Sequence, residues 1–199
     1  MADAAEEARR RGTGSLEAAA RAVRYRFLLG VAVERGADRV AVGHTADDQA
    51  ETVLLRALRG AGLAGLSGIP RRRALGEGVV LVRPLLRATR AEVEDYLRAR
   101  GLDRLVVEDG SNRDRRFLRN RLRHDVLPLL REQVNPRADE ALRRLAAQAR
   151  KARRHLDGAA AALLAEAERG SGPGARPRCG RRSGRGATRR PAPRRDARA

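Results

Sequence analysis

The segment Gly43–Thr52, with the sequence GHTADDQAET, contains the side chains best suited to chemistry. Asp48 and Glu51 are three residues apart and Asp47 and Glu51 are four apart, so on a helix they share one face. Two carboxylates on one helix face suit Mg²⁺ held beside phosphates, or an ammonium group awaiting deprotonation. His44 precedes the helix and can contact the same ligand.

The same acidic residues also have a simpler explanation. Carboxylates in the first turn of a helix interact favourably with the positive end of its dipole, whatever the protein does. A single histidine such as His44 is more often structural than catalytic. Spacing alone therefore leaves both interpretations of Asp48 and Glu51 open.

A second segment is basic and reads RNRLRH from Arg119 to His124. If residues 115–124 form a helix, Arg115, Arg119 and Arg123 recur at i, i+4 and i+8 and share a face. Guanidinium groups bind phosphates bidentately, so such a row can follow an RNA backbone. The alternative is a solvated helix face in an arginine-rich chain.

The composition is strongly basic, with 44 Lys and Arg, 25 Asp and Glu, and a net charge of +19. A polyanionic partner such as nucleic acid is the natural inference. Only Lys151 among the basic residues is a lysine, which is also typical of a GC-rich genome.

Several classes of protein are excluded by what the sequence lacks. It has no 18-residue apolar run, so we expect no transmembrane helix. The acidic start from Met1 contains no apolar stretch of the kind found in secretory signals. Cys179 is the single cysteine, which excludes a disulfide framework and a multi-cysteine zinc site. We therefore predict a cytoplasmic protein.

Helical and extended patterns alternate along the first two thirds of the chain. Apolar periodicity predicts a helix over residues 15–34, with an inward face composed of Leu16, Ala20, Val23, Phe27 and Val31. Short apolar runs predict strands at residues 39–42, 79–82 and 105–107. The pairs Thr45/Asp48 and Thr89/Glu92 resemble capping boxes that open two further helices. Strands alternating with helices predict an α/β fold with a parallel sheet.

The glycine-rich stretch over residues 60–68 follows a helix and contains no GK[ST] sequence. We therefore interpret it as a flexible connector and not as a phosphate-binding loop.

The character of the chain changes after Pro136. A seven-residue apolar repeat predicts a long helix from about Ala138 to Glu168. The tail from Gly170 has scarcely any large apolar residue, so we expect it to be disordered. It is either an RNA-binding arm or a frameshifted reading of a GC-rich gene.

Together these segments resemble the tRNA(Ile)-lysidine synthetases, members of the PP-loop ATP pyrophosphatase group. The resemblance covers roughly residues 15–130, and the acidic block followed by the RNRLR block is its most specific part. The matching segments are Leu16–Arg21 (LEAAAR), Arg24–Tyr25, Gly43–Thr52 (GHTADDQAET), Arg59–Leu66 (RGAGLAGL), Arg83–Leu86 (RPLL), Asp109–Asn112 (DGSN), Arg119–Arg123 (RNRLR) and Leu127–Leu130 (LPLL).

The resemblance implies an α/β fold of the PP-loop ATPase type, also described as adenine nucleotide alpha hydrolase-like, with a partial parallel sheet. It divides the chain into a partial catalytic domain (1–132), the helical start of a tRNA-binding domain (133–169) and a disordered tail (170–199).

The resemblance also implies a reaction. ATP adenylates the C2 oxygen of the wobble cytidine in an isoleucine tRNA with a CAU anticodon, and the ε-amine of free L-lysine then displaces AMP to give lysidine. Asp48 and Glu51 would hold Mg²⁺ or the lysine ammonium. Arg21 and Arg119 would neutralise charge on ATP or on the adenylated base. His44 would contact ATP, and Arg115, Arg119 and Arg123 would contact tRNA.

The chain departs from the family pattern at two points. No segment resembles the Ser-Gly-Gly-x-Asp-Ser loop that grips pyrophosphate, so we expect this polypeptide alone to have no ligase activity. Thr45 stands where a second histidine is usual. Two alternatives remain: a tRNA thiolase with an external sulfur carrier, and a non-catalytic basic RNA-binding protein.

Overall fold

The computed structural model describes residues 16–107 and 114–170. The segment from Glu108 to Asn112, Cys179 and the tail beyond Gly170 lie outside the described residues. In chain order the elements are α1 (Leu16–Glu34), β1 (Arg39–Ala41), α2 (Ala46–Leu58), α3 (Leu63–Leu66), β2 (Arg72–Gly76), β3 (Val79–Val82), a 3₁₀ turn (Pro84–Arg87), α4 (Arg90–Ala99), a second 3₁₀ turn (Asp103–Leu105), α5 (Leu118–Arg121), a π turn (Leu122–Val126), α6 (Leu127–Gln133) and α7 (Ala138–Gly170).

The sheet has three strands in the order β1-β3-β2. Strands β1 and β3 are parallel, with Val40 opposite Leu81, as expected for a connection that passes through a helix. The α/β class and the parallel pair are thus confirmed, but the sheet is mixed, because β2 pairs with β3 in the antiparallel direction. Strand β2 was not predicted, since its sequence RRALG has no apolar run. The signal for it is the hairpin turn, where Glu77 and Gly78 both have positive φ.

The core lies where α2 meets the helices that follow the sheet. Leu54 of α2 packs with Leu122 and Leu127, and all three are buried. The partly buried residues packed against them are Leu55, Val126, Leu130 and Leu142. This packing fixes the position of α2, and with it the acidic first turn of that helix, relative to the helices that follow the sheet.

The predicted inward face of α1 is wrong. Phe27 is 67% exposed and Val31 is 38% exposed, whereas Ala19, Tyr25 and Ala32 are buried. The helix has two apolar stripes, and periodicity cannot choose between them. The sheet selects the stripe with Tyr25, whose ring contacts Arg73 of β2.

The strand predicted at residues 105–107 is also wrong. Leu105 ends a 3₁₀ turn, and Val107 is 90% exposed. A strand this short forms only when a neighbouring strand offers backbone partners. Neither edge of the described sheet reaches this segment.

The chain divides into two compact units, Met1–Asp157 and Gly158–Ala199. Most of α7 belongs to the first unit, and the helix continues through Gly158 to Gly170, which confirms the predicted long helix. The domain boundaries given by the sequence, after residues 132 and 169, stay predictions. Among residues 16–107 and 114–170, no helix is long and apolar enough to cross a membrane.

Candidate functional site

The acidic segment begins α2 with a complete capping box. The Asp48 N–H donates to Thr45 Oγ1, and the Thr45 N–H donates to Asp48 Oδ2 at 2.7 Å. This arrangement satisfies backbone donors that a helix N-terminus leaves without partners, and it fixes the Asp48 carboxylate. The predicted capping role is confirmed, and it uses only one carboxylate oxygen of Asp48.

Asp47 has a different hydrogen-bond partner from Asp48. Its Oδ2 accepts a hydrogen bond of 2.7 Å from the backbone N–H of Arg90, the first residue of α4. The box formed by Thr89 and Glu92 opens that helix as predicted. Asp47 thus joins the N-termini of two helices, and its charge also acts on Arg123.

The basic segment forms a helix that begins at Leu118 and widens into a π turn at Leu122–Val126. Pro128 follows this turn and has no N–H to donate, which is a common cause of such local widening. Arg115 precedes the helix and pairs instead with Asp125. The predicted row of three arginines is therefore split, and only Arg119 and Arg123 act together.

Arg119 and Arg123 contact the two carboxylates predicted on α2. Arg119 donates through Nη2 to Asp48 Oδ1 at 2.7 Å and through Nε to Glu51 Oε2 at 2.9 Å. Arg123 donates to Glu51 through Nε at 2.5 Å and through Nη2 at 3.0 Å, and its Nη2 lies 3.4 Å from Asp48 Oδ1. We call these four residues the paired cluster. It contains two positive and two negative charges.

The paired cluster is largely removed from solvent. The Glu51 side chain is 2% exposed, and the side chains of Asp48 and Arg123 are 15% and 18% exposed. Burial by itself raises the pKa of Asp48, but the Thr45 hydrogen bonds and the two guanidinium charges outweigh it and leave that pKa below its ordinary 3.8. Burial lowers the pKa of Arg123, and hydrogen bonding to Glu51 more than restores it, so its net shift is upward. Both groups are therefore charged at neutral pH.

The paired cluster as placed does not fit a Mg²⁺ ion. Both oxygens of Glu51 and Asp48 Oδ1 already accept from guanidinium groups, and Asp48 Oδ2 accepts from Thr45. Within residues 16–107 and 114–170, no group of three or more His, Cys, Asp or Glu side chains is positioned to hold a metal. The charge of these carboxylates is therefore balanced by guanidinium groups and not by a metal ion.

His44 is half-buried next to the paired cluster, at the end of the loop that follows β1. Burial lowers the pKa of its imidazole, the Asp48 charge partly opposes this, and the charges of Arg83, Arg21 and Arg119 lower it further, below the ordinary 6.5. The ring is therefore neutral at pH 7. It can accept one hydrogen bond and donate another, which suits contact with a nucleotide.

Arg21 lies on α1. Its Nη2 donates to the Tyr25 hydroxyl at 3.4 Å, and its charge acts on His44. The structure thus places Arg21, His44, Asp48, Glu51 and Arg119 in one region, although Arg21 does not contact the carboxylates.

Sequence reasoning missed Arg73 and Arg83 as members of this region. Arg83 is 2% exposed and donates through Nη1 to the carbonyl of Pro70 at 2.7 Å. The segment RPLL that it opens was part of the resemblance, and an arginine at the end of an apolar strand was the available signal. Nothing in the sequence distinguished Arg73 from its neighbours.

The glycine-rich stretch is a structured connector. Arg56 Nη1 donates to the carbonyls of Gly65 and Gly68, each at 2.9 Å, and Arg150 donates to that of Ser67 at 2.8 Å. Gln49 bonds both backbone groups of Ile69 and leaves no room for a Cβ at Gly68. The stretch is thus a connector, as predicted, but these hydrogen bonds hold it in place, whereas a flexible segment was expected.

Comparison with known proteins gives a consistent result. A family model described as a PP-loop domain matches residues 2–130. Three relatives named tRNA(Ile)-lysidine synthase are similar to this chain. The Pseudomonas fluorescens protein is 50% identical over 143 residues, which are 72% of this chain and 31% of the relative. The Solibacter usitatus protein is 47% identical over 139 residues, 70% of this chain and 30% of the relative. The Gloeobacter violaceus protein is 48% identical over 128 residues, 64% of this chain and 39% of the relative. The chain therefore spans about a third of the length of these relatives.

Proposed function

Because this chain belongs to the PP-loop family, whose members use ATP, we propose that it is part of a ligase that modifies tRNA. The proposed reaction joins L-lysine to C2 of the wobble cytidine in the isoleucine tRNA with a CAU anticodon, forming lysidine. The names of the relatives that match its first two thirds support this substrate. The reaction would take place in the cytoplasm.

One observation carries the proposal: Arg119 and Arg123 converge on Asp48 and Glu51 from a distance of about 70 residues in the sequence. The four side chains lie beyond the carboxyl end of β1, where open α/β sheets bind their ligands. A purely structural ion pair needs neither this position nor two arginines on two carboxylates. The arrangement is suited to presenting charge to a substrate in a site from which water is largely excluded.

In this proposal each charged residue has a distinct role. Arg119, whose side chain remains 26% exposed, neutralises negative charge that develops on ATP or on the activated base. Arg21 does the same from the α1 side. Asp48 and Glu51 hold Arg119 in place, and they receive the lysine ammonium when it exchanges for a guanidinium. The neutral His44 contacts the nucleotide. ATP supplies the adenylyl group that makes the C2 oxygen a leaving group.

We place Mg²⁺ with the phosphates of ATP and not on the paired cluster. Mg²⁺ commonly keeps several waters and is held largely by substrate phosphates. Since all four oxygens of Asp48 and Glu51 are engaged, binding of the ion there would require at least one arginine to move away.

The tRNA contacts are proposed from exposure and charge. The side chain of Arg115 is 58% exposed, and that of Asp125, with which it pairs, is 45% exposed. Exposed pairs of this kind contribute little to stability and exchange readily for an RNA phosphate. Arg119 and Arg123 would reach RNA only through the exposed parts of their side chains.

The proposal is tested in a chimera. Residues 15–157 of this chain replace the matching region of the Pseudomonas fluorescens relative, and the purified protein is given ATP, labelled lysine and the CAU-anticodon isoleucine tRNA. We expect incorporation of label into tRNA. Glu51→Gln and Arg119→Gln should abolish it, whereas Glu94→Gln, on the exposed surface of α4, should not. A folded chimera without incorporation would contradict the proposal.

The alternative interpretation is that the chain is a non-catalytic RNA-binding module. It makes its own prediction for the chain by itself. It expects tRNA binding that depends steeply on salt, is indifferent to ATP, and survives replacement of Asp48 and Glu51 by alanine. Filter binding of the isoleucine tRNA to the 199-residue chain, with and without these two replacements, separates the two interpretations.

A further inference from the structure

A second charged cluster lies on the α1 side of His44, and it contains no carboxylate. The guanidinium carbon of Arg73 lies 4.7 Å from the ring centroid of Tyr25, and that of Arg21 lies 5.3 Å from it. Arg21 also donates to the Tyr25 hydroxyl, and the neighbouring Arg83 contributes to lowering the pKa of that hydroxyl. We call Arg21, Arg73, Arg83 and Tyr25 the arginine cluster.

Three positive charges around one hydroxyl are unfavourable unless something negative compensates them. Among the side chains that the structure describes, those of residues 18–107 and 114–169, no Asp or Glu carboxylate pairs with Arg21, Arg73 or Arg83. Exposed arginines tolerate this, but Arg83 is 2% exposed and its buried Nε has no hydrogen-bond partner. A buried, unpartnered guanidinium N–H costs free energy that a bound oxyanion would recover.

The Tyr25 hydroxyl shows the strength of this local field. Burial raises its pKa, yet the charges of Arg21 and Arg83 and the proximity of Arg73 outweigh burial, so the pKa lies below the ordinary 10.0. In Arg83 the pKa shift is also downward, because burial and the charges of Arg73 and Arg21 disfavour its protonated form. The cluster therefore stabilises negative charge at its centre.

The arginine cluster lies at the edge of the sheet where a ligand is expected. Arg83 directly follows β3, and His44 follows β1, so both stand beyond the carboxyl ends of the parallel pair. Arg73 lies opposite Leu81 near the start of the antiparallel strand β2, which brings it to the same edge. Ligands of open α/β sheets bind at this edge.

We propose that Arg21, Arg73, Arg83 and Tyr25 form a subsite for a phosphate group, separate from the paired cluster. Guanidinium forks bind phosphate oxygens bidentately, and a phenolic O–H donates a further hydrogen bond. The phosphate belongs either to a nucleotide or to the RNA backbone. These two candidate sources of the phosphate come from the proposed function, whereas the subsite itself does not depend on it.

The test measures anion binding by the 199-residue chain with titration calorimetry, using inorganic pyrophosphate, ATP and a short single-stranded RNA as probes. Arg73→Gln should weaken binding of the preferred probe about tenfold or more, because it removes a charged hydrogen-bond donor. Tyr25→Phe, which keeps the ring, should weaken it several-fold. Circular dichroism of both variants establishes that they are folded.

The matched control is Arg72→Gln. It removes the same charge from the adjacent position of β2, whose side chain points to the opposite face of the strand and is exposed. Loss of probe binding in Arg73→Gln but not in Arg72→Gln supports the subsite. Pyrophosphate or ATP as the sensitive probe identifies a nucleotide phosphate, and RNA alone identifies a backbone phosphate.

Two outcomes would overturn the subsite. Equal effects of the two glutamine variants would mean that binding follows net charge, and absence of binding to all three probes would leave the cluster without a ligand. Neither outcome bears on lysidine formation by the chimera, so failure of the subsite and failure of the proposed function are distinguishable.

Discussion

The paired cluster and the arginine cluster both contribute charges that act on the pKa of His44, and they differ in how their own charges are compensated. In the first, Arg119 and Arg123 meet two carboxylates, and every carboxylate oxygen accepts a hydrogen bond. In the second, Arg83 is buried with an unpartnered Nε, and no carboxylate among the described residues pairs with it. The first arrangement is complete as the chain folds, whereas the second becomes complete only with a ligand.

This difference separates two uses of arginine that look alike in the sequence. Removal of one member from a neutralised, buried set leaves an uncompensated charge, so the set contributes to stability. Removal of one member from a set of like charges relieves repulsion, so the set contributes to binding at a cost in stability. Measurements of stability and of ligand response in single variants therefore tell the two kinds of cluster apart.

The largest effect is expected for Glu51→Gln. The side chain is 2% exposed and bonds to both Arg119 and Arg123, so its loss leaves two guanidinium groups short of negative charge. We expect the free energy of unfolding to fall by about 3–5 kcal/mol, measured by urea denaturation. The exposed Glu94→Gln should change it by less than about 0.5 kcal/mol. Similar losses in both variants would mean that the paired cluster is not a structural unit.

A smaller loss is expected for Asp48→Asn, together with a changed response to acid. The variant keeps an oxygen for Thr45 but loses its charge, which should cost about 1–3 kcal/mol at neutral pH. Because the folded pKa of Asp48 is depressed, its contribution is fully present above the ordinary 3.8 and is lost as pH falls through the lower folded value. Acid titration followed by circular dichroism should therefore show a weaker dependence in the variant below pH 3.8. If the variant lost stability with falling pH as steeply as the wild type, the stabilising role assigned to the Asp48 carboxylate would be contradicted.

Arg73→Gln should have almost no effect on stability, within about 0.5 kcal/mol, and should match Arg72→Gln in buffer alone. Addition of pyrophosphate should distinguish the two variants by their melting temperatures. A ligand that binds only the folded state raises the melting temperature, so wild type and Arg72→Gln should respond and Arg73→Gln should not. A marked loss of stability in Arg73→Gln without ligand would show that the arginine cluster is structural.

The smallest effect concerns His44, whose pKa responds to charges of both clusters. Its pKa should lie below 6.5, and Asp48→Asn should lower it further, because the Asp48 charge is the contribution that raises it. Imidazole proton shifts recorded by NMR against pH give both values, with His44→Gln identifying the resonance. An unchanged His44 pKa in Asp48→Asn would place His44 away from the paired cluster.

Local sequence patterns predicted much of α2 and α4 correctly. Thr45 with Asp48 and Thr89 with Glu92 form capping boxes as expected, and the alternation of short apolar runs with helical periods gave the parallel pair β1 and β3. These features depend on hydrogen bonds and side-chain spacing within a few residues, so the sequence contains the information that specifies them.

The errors lie where more than one local solution was available. Helix α1 has two apolar stripes, and packing on the sheet buries the one with Tyr25. Val107 belongs to an apolar run without a partner strand, and β2 is a strand without an apolar run. Burial against another element decided each case, and that burial is not visible in a short window of sequence.

The sequence by itself therefore determined that Asp48 and Glu51 share a helix face and that Arg119 and Arg123 recur one turn apart. Only the tertiary structure decided that these two pairs meet, because packing of Leu54 on Leu122 and Leu127 sets the distance between their helices. The same packing directs Arg119 and Arg123 toward carboxylates, while the edge of the sheet collects Arg73 and Arg83 around Tyr25. Charge pairing over long sequence separations follows from how elements pack, since no local pattern fixes which arginine will find an acid.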